Sequence, residues 1–247
     1  MSPAPHPTPT SADTLTWTDL GHGVTINDHA WTEQAQRVFS DDLIRIIADL
    51  HRSLQPMRDD LLAARRERPG YDAGDVPGYL PKDEHPEAHG DWQVAPLPDD
   101  LLQRRVEITG PVSDPKMVIN MLSRNDQGDR ADAAMLDFED SMKPTWDNVM
   151  QGVENVREAA NGTLTYTKSG RDGEPDQKYT LDPDDMPLLM VRIRGLHLNE
   201  SNLRVDGTPV SGALLDLAMV AYHSARTLIE QGKTPKYYVP TGMSRAP

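Results

Sequence analysis

Three acidic residues lie close together in one short segment, where their carboxylates could hold a metal ion or a water molecule. Asp137, Glu139 and Asp140 directly follow the apolar run at residues 133–136. If that run is a β-strand, Asp137 and Glu139 point to the same face, because side chains alternate along a strand. Carboxylate oxygens are the ligands that Mg²⁺ prefers. A solvated acidic strand end would show the same pattern, and the sequence leaves both interpretations open.

Two arginines occupy the end of another apolar run. Arg192 and Arg194 follow residues 188–191 and would share one face if the strand continued through them. Arginine stays charged at ordinary pH and can bind a carboxylate through two parallel hydrogen bonds, as an α-keto acid substrate would require. The alternative is an ion pair with the acidic segment next to it.

Packing explains the remaining candidate groups more readily. His197 and His223 have no partner at the spacing of a metal-binding pair. Trp146 is predicted to pack beneath the second strand. The glycines at residues 21–23 lack the third glycine and the preceding strand of a phosphate-binding loop. The chain has no cysteine, which excludes disulfides, thiolate catalysis and sulfur-ligated metals.

After residue 100, short apolar runs that end in polar residues, glycine or proline alternate with helix-like stretches. The predicted strands are residues 105–109, 133–136, 188–191 and 236–239, and the predicted helices are residues 114–123, 147–160 and 211–231. This alternation favours parallel βαβ units. In a closed βα barrel the chemistry lies at the carboxyl ends of the strands, where the acidic and arginine residues fall. Four strands are half of an eight-stranded barrel.

Two local features refine this prediction. Residues 163–183 predict a short β-hairpin around Ser169-Gly170 and Asp172-Gly173. The helix at residues 114–123 is predicted to begin at Ser113 as its cap residue, with Pro115 in its first turn.

The first hundred residues have a different composition. Residues 41–66 carry apolar side chains at three- and four-residue steps and predict a helix, which Pro56 should end or kink near Gln55. Residues 67–99 hold six prolines and predict a long surface connection. We therefore divide the chain into a disordered tail at residues 1–12, an amino-terminal helical region with a long loop at 13–99, and a partial barrel domain at 100–247.

Charge and hydropathy exclude several classes of partner. With 39 acidic and 25 basic residues the net charge is −14, which argues against a general nucleic-acid binder. No stretch approaches the roughly 20 apolar residues that a membrane span needs. We expect a cytoplasmic protein without nucleic-acid or membrane partners, and the sequence leaves the oligomeric state open.

Eight short motifs also occur in a fixed order. They are residues 104–111 (Arg-Arg-Val-Glu-Ile-Thr-Gly-Pro), 116–120 (Lys-Met-Val-Ile-Asn), 137–141 (Asp-Phe-Glu-Asp-Ser), 144–146 (Pro-Thr-Trp), 161–163 (Asn-Gly-Thr), 192–198 (Arg-Ile-Arg-Gly-Leu-His-Leu), 211–212 (Ser-Gly) and 237–240 (Tyr-Tyr-Val-Pro). In order and approximate spacing this set resembles the malate synthases of the shorter, bacterial and glyoxysomal form. The helix at residues 41–66 resembles that family's amino-terminal helical region.

The resemblance implies an α/β fold, with an amino-terminal helical region followed by the first half, about four βα units, of a (β/α)8 TIM-type barrel. It implies an acyltransferase of the glyoxylate cycle that condenses acetyl-CoA with glyoxylate and water to give malate and CoA. In that family Mg²⁺ holds glyoxylate, an aspartate removes a proton from the acetyl methyl group, and an arginine steadies the enolate oxygen. The catalytic arginine maps onto Arg192, while Asp137, Glu139 and Arg194 map as support for the substrate and metal site.

The resemblance extends only over the amino-terminal half of the family's pattern. The family's magnesium ligands come from later strands and its catalytic aspartate from a carboxyl-terminal helical domain, so we expect no metal ligand within this chain. After Pro240 an unrelated tail at residues 241–247 replaces the usual lysine, which indicates a truncation or frameshift. We expect a polypeptide that is inactive alone. The alternatives are a non-catalytic remnant with a structural or binding role and another magnesium-dependent barrel lyase acting on acyl-CoA esters.

Overall fold

A computed structural model describes residues 15–67, 79, 81–170 and 174–240. The predicted tail at residues 1–12 and the segment at 241–247 lie outside the described residues. In chain order the elements are β1 (Trp17–Gly21), β2 (Val24–Asn27), α1 (Glu33–Val38), α2 (Asp41–Glu67), β3 (Glu107–Pro111), α3 (Pro115–Met121), β4 (Ala133–Asp137), α4 (Trp146–Ala160), β5 (Thr165–Lys168), β6 (Gln177–Thr180), β7 (Leu188–Arg192), β8 (Asn199–Val205), β9 (Thr208–Ser211), α5 (Gly212–Glu230) and β10 (Tyr237–Tyr238).

A parallel sheet contains the four strands that the sequence predicted. Its order is β3-β4-β7-β10, and every neighbouring pair is parallel. Consecutive strands along the chain are therefore neighbours in the sheet once the intervening antiparallel excursions are set aside. The predicted α/β class with a parallel sheet is confirmed. The sheet is open, because the described strands do not close into a barrel.

An antiparallel sheet, which the sequence analysis missed, has the order β1-β2-β8-β9. The β8–β9 turn has positive φ at Asp206 (49°) and Gly207 (82°), and an Asp-Gly pair is a strong hairpin signal. Residues 21–23 form the β1–β2 turn, also with positive φ. Because β2 pairs with β8, this sheet crosses the predicted domain boundary near residue 100, and that boundary stays a prediction.

The helices follow the predicted pattern with two corrections. Helix α2 does not end at Gln55 but continues through Pro56 to Glu67. Proline removes one helical hydrogen bond, and buried side chains on both sides of it, including Ile47 and Arg58, offset the loss. The cap of α3 is Asp114 rather than Ser113, because the Asp114 carboxylate accepts the Met117 amide. Thr145 and Ser211 cap α4 and α5 in the same manner.

The strands β5 and β6 form the antiparallel hairpin that was predicted for residues 163–183, although the tip at 171–173 lies outside the described residues. The described part of the long connection, residues 79 and 81–99, contains a 3₁₀ turn at Pro86–His89, and a second 3₁₀ turn, Asp99–Leu101, begins at its end. The rest of this described part is neither helix nor strand. Within the described residues no helix is long and apolar enough to cross a membrane.

The core between the parallel sheet and its helices depends on close contact at one glycine. Phe138 is fully buried, and a Cβ at Gly152 of α4 would lie only 2.8 Å from its ring. Trp146 is a buried packing residue: its ring stacks on Phe39, and its Nε1 donates to the Ala30 carbonyl at 2.8 Å. Its predicted position beneath the second strand stays a prediction. Asp137 is the last residue of β4 and Phe138 lies just beyond it.

Candidate functional site

Two neighbouring strands of the parallel sheet bring an aspartate and an arginine to the same edge. Asp137 is the last residue of β4 and Arg192 the last of β7, and the two are direct partners in the parallel register. Both therefore lie at the carboxyl ends of their strands, where α/β proteins place their chemistry.

The Arg192 guanidinium binds the Asp137 carboxylate through two parallel hydrogen bonds. Nε donates to Oδ1 at 2.8 Å and Nη2 donates to Oδ2 at 2.7 Å. The amide of Glu139 also donates to Oδ1, while the amide and hydroxyl of Ser141 donate to Oδ2. Asp137 is fully buried, and these five hydrogen bonds occupy its acceptor positions.

Both partners of this pair are charged across the ordinary pH range. Burial by itself raises the pKa of Asp137, but the hydrogen bonds from Arg192, Glu139 and Ser141 outweigh burial and hold that pKa below its usual value. The hydrogen bond to Asp137 raises the pKa of Arg192, against the opposing effect of burial. The pair is thus a fixed dipole at the strand ends.

Pairing uses only part of the Arg192 guanidinium. Nη2 also lies 2.8 Å from Oδ2 of Asp140, and Nε lies 3.8 Å from Oε2 of Glu139. Among the described residues, no hydrogen bond from Nη1 is present, and the side chain keeps 14% of its surface exposed. The ion pair that the sequence offered as an alternative is therefore present, and it leaves one N–H₂ group for a ligand.

Glu139 and His197 converge beside this pair. A Cβ on Gly195 would lie 2.6 Å from Cε1 of His197 and 2.9 Å from Oε1 of Glu139, so both groups border the same glycine. Burial raises the pKa of Glu139, and the neighbouring Asp140 carboxylate raises it further. From the sequence, packing was the favoured role of His197; its position just beyond the end of the strand carrying Arg192 was the available signal.

Arg194 lies apart from this cluster. Its Nε and Nη2 bind the Asp216 carboxylate of α5, and its Nη1 donates to Glu200 of β8 at 2.8 Å. Burial lowers the pKa of Arg194, but Asp216 and Glu200 together raise it above its ordinary value. The prediction that Arg192 and Arg194 share one face is wrong, because β7 ends at Arg192 and the alternation of a strand no longer applies beyond it.

His223 also has a packing role, as the simpler interpretation predicted. Its Nε2 lies 2.8 Å from the carbonyl oxygen of Val38, the last residue of α1. This contact joins α5 to α1 and does not involve the ends of the parallel strands. The structure thus brings Asp137, Glu139 and Arg192 together, adds His197, and places Arg194 and His223 elsewhere.

Comparison with known proteins identifies the family of this chain. Residues 188–246 match the family model described as malate synthase, TIM barrel domain, and residues 23–85 match that described as malate synthase, N-terminal domain. This chain belongs to the malate synthase family. The resemblance inferred from the motifs is confirmed.

Individual malate synthases give the same result over most of the chain. The Myxococcus xanthus (strain DK1622) malate synthase is 40% identical over 222 residues, which cover 90% of this chain and 38% of that protein. Glyoxysomal malate synthase of Candida tropicalis is 38% identical, and the matched residues cover 84% of this chain and 36% of that protein. Malate synthase A of Escherichia coli (strain K12) is 36% identical, and the matched residues cover 86% of this chain and 38% of that protein. The chain spans less than half the length of these curated relatives.

The family reaction depends on a divalent metal, so the acidic strand end can be tested as a Mg²⁺ site. The Asp137 oxygens already accept five hydrogen bonds, and Asp140 is paired with Arg192 through Oδ2. Glu139 and the second oxygen of Asp140 are the remaining carboxylate groups of this segment. Across the described ranges, no group of three or more His, Cys, Asp or Glu side chains is arranged to hold a metal ion. Octahedral Mg²⁺ needs more oxygen ligands, so this set does not fit the ion by itself.

Proposed function

We propose that this chain provides the oxyanion-stabilising part of a malate synthase site, which condenses acetyl-CoA with glyoxylate and water to give malate and CoA. The observation that carries the proposal is the position of Arg192, held by Asp137 at the carboxyl edge of the parallel sheet with Nη1 open.

The chemistry requires a cation at this point. When the acetyl methyl group loses a proton, negative charge develops on the thioester oxygen, and a preorganised donor stabilises that charge as it forms. Arg192 cannot lose its proton at ordinary pH, and Asp137 fixes the plane of its guanidinium. No reorganisation is then needed when the enolate forms, which is how a fixed dipole lowers a barrier.

Two further functions must come from other elements. Condensation also needs a base for the methyl proton and a metal that polarises glyoxylate. We infer that the metal site lies beyond the described residues, since the acidic strand end does not fit Mg²⁺ by itself. We infer the same of the base, because the family resemblance places the catalytic aspartate in a later helical domain. The 247-residue polypeptide alone is therefore proposed to be inactive, and a non-catalytic structural role is its alternative.

A thiol-release assay tests the reaction. The purified 247-residue polypeptide should release no CoA thiol from acetyl-CoA when glyoxylate is added. A chimera in which residues 1–240 continue into the remaining segment of the Myxococcus xanthus malate synthase should release thiol only when glyoxylate is present. Turnover by the polypeptide alone would overturn its proposed dependence on other elements, and a folded chimera without turnover would count against the proposed reaction.

Calorimetry tests the metal proposal separately. The isolated chain should bind Mg²⁺ in the millimolar range or more weakly, because the available carboxylates are too few for the ion. Tight stoichiometric binding that disappears in Asp137→Asn would show that the acidic strand end forms the metal site directly.

A further inference from the structure

One buried charge lies outside the cluster described above. The Arg58 side chain extends from α2, and the residue is only 5% exposed. Its Nε donates to the Leu196 carbonyl at 2.6 Å, and its Nη2 donates to the Leu198 carbonyl at 3.2 Å and to Asn199 Oδ1 at 2.7 Å. Burial lowers the pKa of Arg58, and no carboxylate of the described residues forms an ion pair with it.

All three acceptors belong to the segment that directly follows the Arg192 strand. The Leu198 amide donates to the Gly195 carbonyl at 3.0 Å, which closes a four-residue turn, the 195–198 turn. The Gly212 amide at the start of α5 donates to the Leu198 carbonyl at 2.9 Å. Arg58 therefore binds two carbonyls of this turn, those of Leu196 and Leu198, from α2.

The 195–198 turn leads back to the site. His197 and Gly195 both belong to it, and the His197 ring and Glu139 Oε1 border Gly195. The other oxygen of Glu139 lies 3.8 Å from Nε of Arg192. A displacement of the turn would therefore change the position of Glu139 and, through it, the surroundings of Arg192.

A buried guanidinium without a carboxylate partner is costly, so its neutral acceptors must be well placed. The planar fork of arginine presents donors from three nitrogens and can bind acceptors that lie apart, whereas the three donors of a lysine ammonium all come from one nitrogen. We propose that Arg58 is a positioning residue that holds the 195–198 turn so that His197 and Glu139 stay beside Arg192. Its consequence for turnover rests on the proposed function, whereas the placement of the turn does not.

A matched pair of substitutions on α2 tests this proposal. Arg52, on the same helix but more exposed, also makes three hydrogen bonds, two to Asp206 and one to the His22 carbonyl, at the β8–β9 and β1–β2 turns. Arg58→Met should speed amide hydrogen exchange at Leu198 and Gly212 by about tenfold or more, the scale of lost hydrogen bonds to a charged group. Arg52→Met should leave both amides at their wild-type rates.

NMR signals separate positioning from a purely structural role. Arg58→Met should also shift the His197 ring signals and the Arg192 Nε–H signal at constant pH, and Arg52→Met should shift neither. Both variants should lower the melting temperature, so melting alone does not distinguish them. An Arg58→Met protein that melts lower but keeps wild-type signals at His197 and Arg192 would overturn the proposal.

A conservative variant keeps the test decisive if Arg58→Met does not fold. Arg58→Lys retains the charge but donates from a single nitrogen. It should therefore speed amide exchange and shift the NMR signals in the same direction as Arg58→Met, by smaller amounts. Wild-type exchange and signals in Arg58→Lys would then overturn the proposal. Because these readouts need no substrate, their failure is distinct from failure of the proposed reaction.

Discussion

Arg192 and Arg194 are two residues apart, yet their surroundings differ. Arg192 is held by Asp137 through Nε and Nη2 and keeps 14% of its side chain exposed. Arg194 uses Nε, Nη1 and Nη2 to bind Asp216 and Glu200 and is only 3% exposed. The first lies in a cluster open to solvent, and the second ties the end of β7 to β8 and α5.

The difference shows that donor use, rather than residue type, separates a ligand-binding arginine from a structural one. A guanidinium whose donors are all taken by buried carboxylates stabilises the packing of the elements that carry them. One that keeps a free N–H₂ group at an exposed strand end can stabilise charge on a ligand.

The largest expected effect is on folding. Arg194→Met would leave Asp216 and Glu200 buried without their cation and should lower the free energy of unfolding by about 3–5 kcal/mol. Urea denaturation followed by circular dichroism measures this loss. The triple variant Arg194→Met, Glu200→Gln, Asp216→Asn removes the unpaired charges and should recover most of it. A loss below about 1 kcal/mol in the single variant would contradict the structural role.

The second effect is on turnover and belongs to the other arginine. In the chimera, Arg192→Ala should lower turnover on the order of 10²-fold or more, as when a preorganised oxyanion partner is removed. Arg45→Ala, which removes an exposed ion pair with Asp42, should leave turnover unchanged. Turnover near the wild-type value in Arg192→Ala would refute the assignment.

The third prediction concerns acid stability. The pKa of Asp137 is lower in the folded chain than the unfolded value of about 3.9, so its stabilisation is present above that value and lost as pH falls through the folded pKa. Asp137→Asn should lower the free energy of unfolding by about 1.5–3 kcal/mol at neutral pH. Thermal denaturation from about pH 6 to about pH 3 should show this difference shrinking in acid.

The exposed Asp60 offers the control for that series. Asp60→Asn should change stability little at neutral pH, since the side chain lies on the solvent face of α2. The contrary outcome is a stability difference between wild type and Asp137→Asn that stays constant down to the lowest pH of the series. That result would show that the shape of the Asp137 side chain, rather than its charge, stabilises the fold.

The smallest effect is expected at Glu139. Its pKa is raised by burial and by Asp140, so folding disfavours the carboxylate, and the cost appears as pH rises above the unfolded value of about 4.3. Glu139→Gln should therefore raise stability at neutral pH by only about a few tenths of a kcal/mol, because the Arg192 cation offsets part of the cost of burying the carboxylate. This gain should vanish in acid. A Glu139→Gln protein less stable than wild type at neutral pH would contradict the sign.

Much of the parallel sheet could be predicted from the sequence, because apolar runs of strand length end in polar residues or at a Gly-Pro or proline. That pattern placed the acidic segment and the two arginines at carboxyl ends of parallel strands and offered an ion pair between them as one of two interpretations. The structure pairs Asp137 with Arg192. The antiparallel sheet was missed, although Asp206-Gly207 carries a local hairpin signal. Its strands pair β2 with β8, which lie far apart in sequence.

The sequence by itself determined which residue types reach the strand ends and which family they match, because strand period, turn residues and short motifs are local properties. Tertiary structure alone decided which donors of Arg192 stay free, that Arg194 is sequestered by Asp216 and that Arg58 reaches the 195–198 turn. These outcomes depend on long side chains that cross between elements. Their partners are set by how helices pack on sheets, which no local pattern encodes.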